Sequence, residues 1–157
     1  MPENPGPVTG APASFLRMSV ILTGFEDYEL MGTGMLEEYY GELLRIIGAR
    51  EASSLFSALD TVTGDDPAEF RRIILDDPRY GPVARNVATM WYLGTWSQLP
   101  RDWRNAYGAM AHDDDHVVSA AAYREGLVWP ASGTHPMGAK QPGFASWTSP
   151  PRGMEAP

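Results

Sequence analysis

Cysteine is absent from this sequence of 157 residues. Its absence excludes disulfides, thiolate chemistry, iron–sulfur ligation and covalent haem attachment on this chain. Strongly basic segments are missing too, since the net charge is -8 at pH 7 and no cluster of Lys and Arg forms the basic stripe that phosphate backbones require. The composition therefore predicts neither nucleic acid nor an anionic membrane surface as a partner.

Long apolar runs are absent as well. The longest, such as 19–22 and 73–75, fall far short of the roughly 18–20 residues that span a bilayer. We therefore expect no transmembrane helix. The first residues lack the basic and apolar regions of a secretory signal, which predicts a cytoplasmic location for the sequence as written. Export with a partner, or earlier removal of a signal, would instead place the protein in the periplasm or cell envelope.

The residues that are present suit one folded unit. Hydrophobic residues make up 43% of the chain and charged residues 20%, which is ordinary for a globular protein and unlike a disordered chain. Proline and glycine concentrate at both ends. We predict an extended N-terminal arm at 1–12, a helical domain at 13–128, and a Pro/Gly/aromatic tail at 129–157 that docks on this domain or on a partner.

Apolar residues recur at helical spacing along the middle of the chain, whereas alternating strand patterns are absent. The predicted fold is all-α, a small domain of about five to six helices between extended Pro/Gly-rich arms. In the strongest periodic segment, Leu30, Met31 and Met35 are assigned to one buried stripe. The predicted helices cover residues 14–23, 27–47, 51–63, 67–77, 82–93 and 115–125.

One segment has the residue types of a metal site: His112-Asp113-Asp114-Asp115-His116. On a helix, two imidazoles four residues apart would share a face, and carboxylates could complete the coordination of zinc or iron. No H-E-x-x-H frame is present, and three adjacent aspartates also suit a solvated loop in which Asp115 caps the next helix. We expect no metal, and keep a metal-dependent enzyme using His112 and His116 as an alternative.

Other catalytic signatures are weak. Gly32-Thr33-Gly34 is similar to the start of a dinucleotide loop, but no strand precedes it, and we interpret its glycines as small residues that allow close helix packing. No serine lies in a G-x-S-x-G frame. The residues therefore offer no preorganised catalytic site.

Large aromatic residues crowd the second half of the chain. Such residues dominate the energetics of protein interfaces. Trp91 also fits the buried side of the helix at 82–93, so roughly half of the set would be core. The candidate contacts with a partner or with the docked tail are Trp91, Tyr92, Trp96, Trp129, Phe144 and Trp147.

Three stretches carry a resemblance to a known family. They are a helix ending in Leu-Thr-Gly (15–24), a later Trp-Tyr-Leu-Gly (91–94), and Gln-Pro-Gly-Phe (141–144) followed by Trp147 and Pro150. Together they resemble the small, or gamma, subunit of the membrane-bound FAD-dependent sugar and polyol dehydrogenases, the family of the sorbitol, fructose and glucose dehydrogenase complexes. The similarity covers residues 15–96 and 127–151.

The resemblance implies a division of labour. A large flavoprotein of the glucose–methanol–choline oxidoreductase type would oxidise a sugar hydroxyl with its own FAD, and a cytochrome c subunit often takes the electrons in such families. The small subunit would bind the flavoprotein and support its folding or export, with no cofactor of its own. The resemblance thus implies a non-catalytic accessory subunit, although the family's twin-arginine export signal is missing here. A free-standing helical adaptor for an unrelated partner is a further alternative.

Overall fold

The computed structural model describes residues 12–108 and 111–136. Its helices and strands are α1 (Ala13–Thr23), α2 (Asp27–Gly32), α3 (Leu36–Asp60), α4 (Pro67–Phe70), α5 (Gly81–Leu93), β1 (Thr95–Trp96), α6 (Arg101–Tyr107), β2 (His116–Val117), α7 (Ala120–Glu125) and α8 (Val128–Ala131). A π-helical turn, Arg71–Leu75, continues α4. The predicted all-α fold is confirmed. Within the described ranges, no helix has the length and apolar character needed to cross a membrane.

Three helices form the centre of the fold. Helix α1 packs against α3 and α5, and α3 also contacts α5. Phe15 and Met18 from α1, Tyr39 from α3 and Trp91 from α5 are fully buried. The Tyr39 and Trp91 rings meet edge-on with their centroids 4.9 Å apart, a favoured aromatic geometry. The ends of α1 and α5 therefore lie on helices that pack directly against each other.

Several predicted helix ends are confirmed. Helices α1 and α5 are closed by Gly24 and Gly94, whose φ angles of 75° and 69° are left-handed. Such a conformation is the common way to end a helix, because glycine adopts it without a Cβ penalty. At the start of α4, the Asp66 carboxylate accepts from the Ala68 amide at 3.0 Å, as its capping pattern predicts.

The predicted single helix over 27–47 is wrong. A turn at Thr33 and Gly34 separates α2 from α3. The Thr33 hydroxyl donates to the Leu30 carbonyl (2.7 Å) and accepts from the Met35 amide (3.1 Å), so local side-chain bonds replace helical ones. Gly32 and Gly34 have open space where a Cβ would lie, and our interpretation of them as helix-packing residues is therefore also wrong.

Gly48 ends a helical segment, as predicted, and α3 is kinked there. Its backbone has φ 80° and ψ 161°, which is not helical. The helix predicted over 51–63 is confirmed as the second segment of α3, although it ends at Asp60. A glycine in this conformation interrupts helical hydrogen bonding at one point, and the packed faces on either side keep both halves helical.

The region after Gly94 differs most from the prediction. The helix predicted over 115–125 begins only at Ala120, and Ser119, not Asp115, caps it by accepting from the Ala122 amide at 3.0 Å. The Asp115 carboxylate accepts from the Gln98 amide instead, at 2.7 Å. Strand β2 pairs antiparallel with β1.

Two short helices, α6 and α8, were not predicted. Helical structure continues to Ala131, beyond the boundary predicted at residue 128. The rest of the predicted tail, 137–157, and positions 1–11 of the predicted N-terminal arm lie outside the described residues.

Candidate functional site

Two of the predicted interface residues belong to the core of this chain. Trp91 is fully buried, and its indole N–H donates to Ser19 Oγ at 2.9 Å. Trp96 is buried as well, and its N–H donates to Asp113 Oδ1 at 3.0 Å. A buried indole normally finds such an acceptor inside the fold. The assignment of Trp91 and Trp96 to a partner surface is therefore corrected, because neither offers surface in this structure.

Tyr92, another predicted contact, joins the ends of α1 and α5. Its side chain is half-buried, and its hydroxyl donates to the Thr23 carbonyl at 2.7 Å. The last carbonyls of a helix lack helical partners, so this bond also satisfies the end of α1. The Tyr92 ring packs edge-on against Phe25, with centroids 6.3 Å apart. Phe25 thereby lies where α1 leads into α2.

Phe25 lines a groove of about 370 Å³ between α2 and the α7–α8 segment, which we call the α2–α8 groove. Gly32 belongs to its α2 wall, and Trp129 and Pro130 belong to the opposite wall. Trp129 is half-buried, and its N–H donates to the Tyr123 carbonyl at 2.9 Å. Its ring meets the Tyr123 ring edge-on at 5.6 Å. Trp129 is thus the predicted contact residue that lines an open surface.

Exposed apolar side chains stand beside the groove on α2. Tyr28 is 68% exposed and Met31 is 50% exposed, and their spacing of three residues puts them on one helix face. Leu30, between them in sequence, is fully buried. The assignment of Met31 to the buried stripe is therefore wrong, because neighbouring residues on a helix face different directions. Tyr28 and Met31 are therefore an exposed apolar pair on the same short helix as Glu29 and Gly32, which line the groove.

Charged residues of both signs edge the α2–α8 groove. They are Glu29 from α2 and Arg124 and Glu125 from α7. The Glu29 carboxylate accepts from the Glu26 amide at 2.9 Å and so helps to cap α2. An aromatic floor with a polar, mixed-charge edge is the usual composition of a protein contact surface.

The two histidines of the predicted metal segment do not share a helix face, because 112–115 form a turn and loop and His116 begins β2. His112 Nδ1 lies 3.3 Å from Arg45 Nη2, whereas His116 Nε2 lies 2.5 Å from Glu42 Oε1. Within residues 12–108 and 111–136, no three side chains of the metal-ligating types are grouped to hold an ion. The metal-dependent alternative assumed that His112 and His116 share a helix face, and that assumption is wrong.

Asp113 is buried, although a solvated acid was the simpler expectation. Its Oδ1 accepts from Trp96 Nε1 and from the Leu99 amide, both at 3.0 Å. Its Oδ2 lies 3.2 Å from Arg104 Nε, without the angle of a hydrogen bond. The contact is an ion pair, since Coulomb attraction does not require the angle of a hydrogen bond. Asp113 therefore anchors the loop before β2 to the residues that follow β1.

Phe25, Tyr28, Met31 and Tyr123 are site residues that the sequence reasoning missed. The spacing of Tyr28 and Met31 was available as a signal, because a helix face that holds both cannot also hold Leu30. Phe25 and Tyr123 had no such signal, since the contacts that place them beside the groove come from α5 and α8.

The remaining predicted contacts, Phe144 and Trp147, lie outside the described residues. No protein-family model, curated protein or solved structure matches this chain. The candidate site therefore rests on the geometry of the α2–α8 groove and of the exposed face of α2.

Proposed function

We propose that this chain is a non-catalytic accessory subunit that binds a large FAD-dependent sugar or polyol dehydrogenase subunit. Its contact surface is the α2–α8 groove together with Tyr28 and Met31. The observation that carries the proposal is this pair of exposed apolar side chains on α2, the helix that also forms one wall of a groove containing Phe25 and Trp129. Exposed apolar side chains grouped on one element are typical of protein contact sites.

The positions of the family-like stretches support this choice of partner. The stretch 15–24 forms α1 and its cap, and 91–94 forms the end of α5. The two lie together, because Trp91 donates to Ser19 and Tyr92 donates to the Thr23 carbonyl. Two of the three stretches that carry the resemblance therefore pack together, with Phe25 between them and the groove, and the third, at 141–150, lies outside the described residues.

In this proposal the redox chemistry belongs to the partner. FAD and the catalytic base lie on the large subunit, and a cytochrome c subunit, in complexes that have one, takes the electrons from it. This chain supplies apolar contact that stabilises the flavoprotein. Stable partners of this type commonly bury about 2,000 Å² or more, so each chain alone would expose adhesive surface.

Co-expression with a candidate large FAD-dependent dehydrogenase subunit tests the proposal. The complex is measured by size-exclusion chromatography with light scattering, and its flavin by absorbance. The double variant Tyr28→Ser, Met31→Ser should weaken the complex about tenfold or more, because truncated central apolar contacts carry most of the binding energy. The control is Val117→Ser, which removes an apolar side chain that is 60% exposed on β2, an element that contributes nothing to α2 or to the lining of the groove.

Two results would count against the proposal in different ways. A monodisperse, flavin-free monomer that ignores the co-expressed flavoprotein would contradict the assigned partner and favour a free-standing adaptor. Equal binding by the double variant and the control would leave the partner in place and contradict the assigned surface.

A further inference from the structure

His116 joins the segment around β2 to helix α3. Its ring is half-buried, and Nε2 lies 2.5 Å from Oε1 of Glu42, a buried residue of α3. On the other side of the ring, Nδ1 lies 2.7 Å from the Asp114 carbonyl oxygen and 3.1 Å from Asp114 Oδ1. Both ring nitrogens therefore face oxygen atoms.

This geometry sets the number of protons on the ring. A backbone carbonyl can only accept a hydrogen bond, so Nδ1 must donate to Asp114. Glu42 accepts from Arg45 Nη1 through its other oxygen at 3.1 Å, and an ionised Glu42 can only accept at Oε1, so Nε2 donates to it as well. A neutral imidazole has one N–H and cannot donate from both nitrogens, whereas the imidazolium can. The site is thus built for charged His116.

We propose that His116, Glu42 and Asp114 form a pH-sensitive clasp, which holds the β2 segment on α3 while His116 is protonated and loosens when the proton leaves. Loss of one N–H leaves a ring lone pair against an oxygen lone pair at hydrogen-bond distance. The β2 segment then loses its contact with α3. Asp113 still binds Trp96 and Leu99, and Asp115 still accepts from the Gln98 amide. The loosening is therefore confined to His116 and the residues after it, whose remaining support is the pairing of β2 with β1. This inference does not depend on the proposed function.

The charges around the ring favour the protonated form. In the described part of the chain, the charged groups in contact with His116 are Glu42 from α3 and Asp114 from its own loop. Arg45 is the nearby positive group, and it binds the far oxygen of Glu42. Burial lowers the pKa of His116, but the hydrogen bonds to the Asp114 carbonyl and to Glu42 outweigh burial and raise the pKa above its ordinary value.

The direction of the pH effect follows from that raised pKa. Stabilisation by the clasp is fully present below the pKa of an unfolded histidine, about 6.5, and is lost as pH rises through the higher pKa of the folded protein. Each pKa unit between the two values corresponds to about a tenfold change in the equilibrium between closed and open clasp.

An NMR pH titration of the three histidine rings tests this inference directly in the full chain. We expect the His116 midpoint to lie above the ordinary histidine value of about 6.5. In Glu42→Gln the shape of the side chain is kept and its charge is lost, so the His116 midpoint should fall below its wild-type value. In wild type, exchange of the Val118 amide, which bonds the Gly94 carbonyl at 2.9 Å, should accelerate beyond its intrinsic pH dependence as pH rises through the His116 midpoint.

The control amide is that of Gly24, which bonds the Val20 carbonyl at 2.9 Å and should show no such excess. A wild-type His116 midpoint at or below the ordinary value of about 6.5 would overturn the clasp, and this holds even if the Glu42 variant does not fold. Val118 exchange that follows only its intrinsic pH dependence would also overturn it.

Discussion

The core tryptophans and the aromatic residues of the α2–α8 groove have similar composition but different surroundings. Trp91 and Trp96 direct their N–H groups to acceptors that are themselves buried, Ser19 and Asp113. Trp129 directs its N–H to the carbonyl of exposed Tyr123 and leaves part of its ring on an open groove. The comparison teaches that an excess of aromatic residues does not identify an interface. In these three tryptophans, a buried ring is accompanied by an acceptor on a buried residue, and the half-buried ring by an acceptor on an exposed one.

The largest expected effect tests the core side of this comparison. Trp91→Ala removes a fully buried ring and its bond to Ser19, and should lower the free energy of unfolding by about 3–5 kcal/mol. The matched control is Trp129→Ala, which should cost clearly less because its ring is half-buried. Urea denaturation of both variants measures the difference. Equal losses would contradict the division into core and groove.

Asp113 provides a second test of the difference between core and groove, because its carboxylate accepts from the buried Trp96 indole. Asp113→Ala leaves the Trp96 indole and the Leu99 amide without an acceptor, and should cost about 2–4 kcal/mol. Asp60→Ala, at the exposed end of α3, should stay within about 0.5 kcal/mol. Thermal unfolding followed by circular dichroism compares the two. An unchanged Tm for Asp113→Ala would contradict the anchoring role.

Two glycines with nearly the same φ separate packing from backbone strain. Gly94→Ala would place a Cβ 2.6 Å from the Ala122 carbonyl carbon, whereas Gly34→Ala has open space. The shared left-handed backbone should cost each variant about 1–2 kcal/mol. The clash between α5 and α7 should cost Gly94→Ala about 1–3 kcal/mol more. Chemical denaturation checks the order, and equal losses would show that α7 moves aside freely.

The smallest effect on stability is expected on α2. Tyr28→Ser and Met31→Ser remove exposed side chains, so each should change the free energy of unfolding by no more than about 0.5 kcal/mol. The same measurement by urea denaturation is the necessary companion to the binding assay. A large loss of stability would place these residues in the core and remove them from the proposed contact surface.

The sequence predicted those parts of the fold whose signals are local. The Gly24 and Gly94 caps, the Asp66 start of α4 and the apolar faces of α1 and α5 all depend on residues within a few positions of one another. Such local preferences can be read from the sequence alone, and in this fold they agree with the tertiary packing. The all-α fold followed from them.

The remaining features depend on distant contacts or on competition between local ones. Asp113 is buried because Trp96 and Leu99, which lie far from it in sequence, supply donors. His116 is paired with Glu42 from α3. The spacing of His112 and His116 could not predict this pair, because Glu42 lies far away in the sequence. The break before α3 arose because Thr33 bonds its own neighbours, and that competition outweighed the apolar periodicity.

The most direct test of the central proposal is the amide hydrogen exchange of this chain, alone and with the large flavoprotein subunit. The account predicts that residues 25–34 and 123–131 become protected in the complex, while the already buried centre of α5 is little changed. Formation of the complex with no added protection in those two segments would contradict the assigned surface. Exchange that is identical with and without the flavoprotein, because no complex forms, would contradict the proposed function itself.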